Sequence, residues 1–285
     1  TQFRSINITT EPNAVVWIDG VRFGKTDASG KLAIKTVSTG AHTLRVRADG
    51  FKEKTQPLTA AQKGEITIAL VKTTDEAELA FQEAERLTLV DREKAVAAYR
   101  KAVGLRPAYP EAYVALARTL GEMGELEDAE AAIAQARKLR PAYAEALAVL
   151  GRIHKDGGDE DKAVAAFKRA ITEGRGFQPE AYAGLGLLHK EKAEAYGSAG
   201  DFEKENKAFT EAAKNLKASL KQLSGAPDAV VIYQLLGLIY ERQKRWIDAI
   251  ATYEEFLRIF PDTVEATAVR SFVVQIKKEM SLSQQ

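Results

Sequence analysis

The strongest constraint in this sequence is that its second half repeats itself. Ala95, Ala129 and Ala163 lie 34 residues apart, as do Tyr99, Ile133 and Phe167, and again Ala102, Ala136 and Ala170. Pro107 and Pro141 keep the same step. Within each step the apolar residues recur with the helical period, so each unit reads as two amphipathic helices. One such pair cannot bury its apolar face alone, whereas a stack of copies buries a continuous core. From Asp75 onward the chain is therefore predicted to be a stack of helical hairpins.

Up to about Lys72 the pattern is different. Apolar residues alternate, and Phe3–Thr9, Ala14–Ile18, Leu32–Val37, Thr43–Ala48 and Glu65–Val71 read as short strands. Asp19-Gly20 and Asp49-Gly50 follow strands directly, where turns that need positive φ recruit glycine. Gly24, Gly30, Gly40 and Gly64 continue that punctuation. Residues 1–72 are thus expected to form a small antiparallel β-sandwich. Lys72 to Asp75 is the expected joint, with Thr74 or Asp75 capping the first helix.

Each half resembles a known family. Tyr233, Leu236-Gly237, Tyr240, Ala249, Tyr253 and Pro261 fill the signature slots of the tetratricopeptide repeat, and only Phe256 departs, where Ala is usual. This resemblance covers about 76–263. Glu11-Pro12-Asn13-Ala14, then Ile18-Asp19-Gly20 and Gly24-Lys25-Thr26, resembles the opening of a PEGA domain. Gly40-Ala41-His42-Thr43-Leu44, followed by Gly50-Phe51, resembles its second half. The turn at Pro12 is one residue shorter than the family pattern, with Asn13 in the glycine position, and Asn tolerates left-handed φ. The resemblance implies a surface-associated bacterial module without known catalysis.

The repeats fall at about 76–109, 110–143, 144–177, 179–226 and 230–263. The fourth is out of step, because its turn at Gly200-Asp201-Phe202 arrives seven residues late. Seven extra residues on each arm account for the shift, a lengthening of about 10 Å at the α-helical rise. The tip, Tyr196 to Phe202, is expected to project and to serve a contact. After Pro261, the stripe Val269, Phe272, Val273, Ile276 and Met280 predicts a capping helix over about 264–281, which would cover the last apolar face.

Composition removes several classes of chemistry. The chain has no cysteine, so disulfides, zinc–thiolate sites and cysteine nucleophiles are excluded. Residues 1–72 carry 11 Lys or Arg against 6 Asp or Glu, and the rest carries 30 against 34. That contrast is too small to argue for nucleic acid. No apolar run approaches the length of a membrane helix. Gly20-x-x-x-Gly24-Lys25-Thr26 is one residue short of a phosphate loop and is followed by another turn rather than a helix. His42, His154 and His189 are the only histidines, and no Ser or acid beside them is recognisable as a triad partner. Trp17 and Trp246 are expected in the core. No catalytic residue, metal ligand or cofactor is expected.

What remains is an interaction scaffold. The tetratricopeptide resemblance implies capture of a peptide or helix against the wall formed by first helices. Its groove-facing offsets fall on Val114, Arg118, Arg152, Lys155, Leu187, Lys190, Gln234, Leu238 and Glu241. Arg118, Arg152, Lys155 and Lys190 would form a basic ladder for a partner of acidic character, unless Glu111, Glu145 and Glu180 neutralise it. With the PEGA-like module, the expected setting is the bacterial cell envelope, periplasmic or associated with the outer membrane. The chain opens at Thr1 without an initiator Met, so a removed signal segment is compatible with it. The alternative is an envelope protein that binds cell-wall carbohydrate or peptidoglycan through the sandwich, with Trp17 as stacking platform.

Overall fold

The computed structural model describes residues 3–282. Seven strands come first: β1 (Phe3–Thr9), β2 (Val15–Ile18), β3 (Val21–Lys25), β4 (Lys31–Ser38), β5 (His42–Arg47), β6 (Lys54–Leu58) and β7 (Gly64–Thr67). They form two sheets, ordered β4-β1-β7 and β3-β2-β5-β6. Ile6, Ile8, Ile34 and Ile66 on one sheet and Val16, Ile18, Leu44, Val46 and Leu58 on the other are buried. Alternation along each strand supplies these two inner faces, as a sandwich requires.

Three details depart from the sequence reading. β3 and β6 are strands that the alternation did not disclose: β3 carries Gly24 and β6 carries Pro57, both of which mask a strand pattern. β7 pairs with β1 in parallel, because the chain crosses from the other sheet before it returns. Trp17 leaves the core. It lies on the outer face of its sheet, half-buried, since Val16 and Ile18 point inward and Trp17 alternates with them.

The turn between β2 and β3 is as expected. Asp19 (φ +51°) and Gly20 (φ +81°) both take the left-handed conformation that a two-residue hairpin turn of matching twist demands.

Eleven helices follow among the described residues: α1 (Glu76–Leu87), α2 (Arg92–Leu105), α3 (Pro110–Glu122), α4 (Leu126–Leu139), α5 (Ala144–Asp156), α6 (Glu160–Glu173), α7 (Pro179–Ser198), α8 (Phe202–Leu223), α9 (Ala229–Arg242), α10 (Trp246–Ile259) and α11 (Ala266–Leu282). Asp75, Asp91, Asp159 and Asp201 cap α1, α2, α6 and α8 through their side chains, and Pro110 opens α3. α7 and α8 run to 20 and 22 residues where the earlier hairpin helices have 12 to 14, which is the lengthening the sequence implied. Val269, Val273 and Ile276 of α11 are buried, whereas Phe272 stays partly exposed. Trp246, expected in the core, is half-buried at the first turn of α10.

The chain forms two compact bodies, one through Gly184 and one from Leu185. In the first, the sandwich is fused to the helices rather than merely tethered. Gln82 of α1 donates to the Phe51 carbonyl and accepts from the Gly50 N–H, both at 2.8 Å. Arg47, almost wholly buried, ion-pairs with Glu53 of the sandwich and Glu85 of α1, and its guanidinium lies 4.6 Å from the centre of the Phe81 ring. The sandwich therefore covers the apolar end of the first hairpin, a role that repeat stacks usually give to a capping unit.

Gln82→Ala is expected to cost about 1–3 kcal/mol, because it strands the Gly50 N–H in the junction. Urea unfolding of the full chain checks this. A loss no larger than that of an exposed Gln→Ala control would mean that the junction carries no load.

Candidate functional site

In the first body, the odd-numbered helices make one layer and the even-numbered helices the other. Loops of a few residues join them, and close packing sets their spacing. α3 and α5 touch within their layer. Phe167 of α6 is wedged against glycines of two successive first helices. A Cβ on Gly151 would fall 2.5 Å from its ring, and one on Gly184 closer still. Only residues without a side chain admit the ring there.

The most telling contact crosses this layer. Arg118 of α3 donates through both terminal nitrogens to the Glu180 carboxylate at the start of α7, at 2.6 and 2.8 Å. α5 lies between, and its Arg152 comes within 4.0 Å of the same carboxylate. Their meeting ties α3 to the start of α7 across α5.

Ala148 of α5 stands one turn from both Glu145 and Arg152, and it is fully buried.

The rest of the wall is charge-matched. Arg152 pairs with Glu122 at 3.1 Å, and Arg92 approaches the same carboxylate at 3.4 Å. Lys155 pairs with Asp156 at 3.1 Å. Glu111 is taken by Arg140. Burial alone would raise the Glu180 carboxyl, but the charge and hydrogen bonds of Arg118 carry it below the usual carboxylate range. Glu145 behaves oppositely. Its side chain is exposed, yet desolvation by the neighbouring protein and the nearby Glu180 and Glu111 push its carboxyl up, although Arg118 at 4.0 Å offsets part of this.

Among the expected partner-binding residues, Arg118, Arg152 and Lys155 stand in this first body. The basic ladder is compensated, and Glu180 matches two of its rungs. Val114 is a correction. It is 2% exposed and belongs to the helical core, so it offers nothing to a partner. It occupies the same register as Ala148, 34 residues earlier, and both are buried.

The remaining residues stand in the second body. Lys190 pairs with Glu194 of its own helix at 2.7 Å. Glu241 accepts a hydrogen bond from the Tyr253 hydroxyl. Leu187 and Gln234 are half-buried, and Leu238 is 52% exposed. Val231, which the offsets passed over, is equally exposed and lies two turns before Leu238. Val231, Gln234, Leu238 and Glu241 thus form one stripe along α9. Its signal in the sequence was a branched aliphatic in the first turn, outside the slots that pack against α10.

The chemistry weighed in the sequence can be placed as well. Thr26 of the near-miss phosphate loop spends its hydroxyl on the Glu11 carbonyl at 2.7 Å and on the Ala14 N–H at 2.8 Å. Trp17 carries the Arg45 guanidinium 4.3 Å from its ring centre, so a stacking partner already occupies it. One constellation was missed. Ser38 and Asp19 flank His42, but its Nε2 also lies 2.9 Å from the Ser38 carbonyl oxygen, which is where a ring N–H points. No group of residues that could hold a metal ion occurs among the described residues, and no helix there is long and apolar enough to cross a membrane.

Comparison with known proteins agrees with this architecture. Tetratricopeptide-repeat profiles match residues 87–109, 114–179 and 191–263. The chain belongs to the tetratricopeptide-repeat family. A PEGA-domain profile matches residues 3–74. Among solved structures, a thermophilic tetratricopeptide protein of Thermus thermophilus superposes with a TM-score of 0.50 at 19% identity, covering 70% of this chain and 98% of that one. Yeast Tom70 superposes with a TM-score of 0.57 at 18% identity, over 73% of this chain and 41% of its own. At these identities the likeness concerns the fold. A search of curated proteins finds no match.

The Arg118–Glu180 bridge gives a pH signature. Because the Glu180 carboxyl is lowered on folding, its contribution is complete above the ordinary glutamate range and is lost as pH falls through the lowered value. Glu180→Gln is expected to remove that acid-dependent step from urea unfolding curves. Ala148→Leu should destabilise the chain by about 1–3 kcal/mol at neutral pH, because the position is fully buried. An acid step left unchanged by Glu180→Gln would show that the bridge does not contribute to it.

Proposed function

We propose that this tetratricopeptide-repeat chain is a non-catalytic protein-interaction scaffold of the cell envelope that takes a segment of a partner protein on the first-helix face of its last hairpin. The α9 stripe carries this reading: Val231 and Leu238 remain open two turns apart with Gln234 between them. Removing two such aliphatics from water supplies a few kcal/mol of binding free energy before ordering costs. The cations of the wall, in contrast, already hold carboxylates, so an acidic partner would have to break ion pairs to bind. The partner expected from these facts is a helix or extended segment with apolar residues at matching spacing. Its recognition is apolar first and ionic second, the reverse of the order that charge spacing in the sequence implied. The PEGA domain supports an envelope setting, and the Arg-covered Trp17 argues against sugar stacking as its task.

Peptides selected from a displayed random library against the full chain test this reading. They are expected to bind Val231→Ser/Leu238→Ser at least about tenfold more weakly, the equivalent of one lost apolar anchor. They should bind Arg118→Gln/Arg152→Gln as they bind the original chain. Undiminished binding to the serine variant would move the partner surface off α9.

A further inference from the structure

The motif positions Asp19-Gly20 and Gly40-Ala41-His42 play no part in partner capture, yet the fold brings them together. His42 Nδ1 lies 2.6 Å from Asp19 Oδ2, and His42 Nε2 lies 2.9 Å from the Ser38 carbonyl oxygen. Asp19 Oδ1 accepts the Thr43 N–H at 2.8 Å, and the Asp19 N–H donates to the Thr43 carbonyl at 2.9 Å. The imidazole is nearly buried, with 11% of the side chain exposed. A carboxylate and a carbonyl can only accept, and a neutral imidazole donates through one nitrogen alone. Both contacts are hydrogen bonds together only when the ring carries two protons. A donor for the other state is also in place, since the Ser38 hydroxyl lies 3.3 Å from Nε2 and can rotate.

We propose that His42 is a proton-operated latch between the β2–β3 turn and the β4–β5 turn of the sandwich. With the ring charged, Nδ1–H holds Asp19 and Nε2–H holds the Ser38 carbonyl. When the Nε2 proton leaves to solvent, Nδ1–H stays on Asp19 and Nε2 becomes an acceptor. The Ser38 hydroxyl then donates to Nε2, the Ser38 carbonyl loses its donor, and residues 38–43 loosen.

The surrounding charges leave Asp19 as the ring's ionic partner. Arg4 reaches this turn from β1 but is spent on the Gly40 carbonyl at 2.8 Å and on the carbonyls of Thr59 and Ala60. Leu58 stands opposite His42 on β6, where Thr55 to Leu58 carry no charge. Lys35 on β4 is exposed, and Arg45 of β5 lies over Trp17 on the outer face.

Ring-nitrogen NMR of the histidine-labelled full chain tests the latch, since His42 has only His154 and His189 as companions and His42→Gln assigns it. At about pH 5.5 both ring nitrogens should be protonated, and at about pH 8.5 only Nδ1, the two values bracketing the histidine range. Amide exchange of residues 39–43, corrected for its intrinsic pH dependence, should lose roughly fivefold protection between them, about what one lost hydrogen bond allows. His42→Gln should abolish that change, and Ser38→Ala should deepen it at the higher pH and be silent at the lower. The latch is refuted by a ring that stays in one neutral tautomer at both pH values, by an equal protection change in His42→Gln, or by a Ser38→Ala effect independent of pH.

Discussion

The helical part of the first body depends on a close approach around one ring. Phe167 occupies the space that side chains at Gly151 and Gly184 would need, so α6 packs closely on both glycines. Interiors packed at crystal density leave no slack for a second solution. One turn before Gly184 stands Glu180, whose carboxylate meets Arg118. The ion pair is therefore placed by packing. Glycine and alanine let the helices close, and the ion pair then spans the space they leave.

The same logic applies where the sandwich meets the helices. A stack of hairpins ends in apolar surface, and the first hairpin would expose Phe81 there. Arg47 covers that ring with a guanidinium whose charge is matched by Glu53 and Glu85, and Gln82 satisfies the backbone of Gly50 and Phe51. A polar junction of this kind is costly to break from one side, because each lost partner leaves another buried group unpaired. The PEGA domain thus has a structural duty toward the repeats, whatever else it binds.

Much of this was legible in the sequence, for physical reasons that also mark where legibility stopped. The spacing of Ala95, Ala129 and Ala163 showed the repeats, because equivalent contacts need equivalent residues. The late Gly200-Asp201 turn showed the lengthened fourth hairpin, because a helix spends a fixed rise per residue. Direction was harder. Trp17 was expected to be buried because both faces of its strand are apolar, whereas only the face of Val16 and Ile18 is buried, and Val114 was assigned outward although it lies in the helical core. The Arg118–Glu180 pair, 62 residues apart, follows from how the helices pack and not from any local pattern. The sequence left open whether carboxylates neutralise the basic ladder, and the fold supplies one to each cation, Glu180 among them.

The central claim is that packing brings Arg118 and Glu180 together across α5, where the two side chains couple directly. A double-mutant cycle measures it most directly, with Arg118→Gln and Glu180→Gln made singly and together and each variant unfolded in urea at neutral pH. The account predicts a coupling of about 1–2 kcal/mol between the two positions. Losses that add to within about 0.3 kcal/mol would show that the two side chains act independently and that the ion pair adds nothing to the packing.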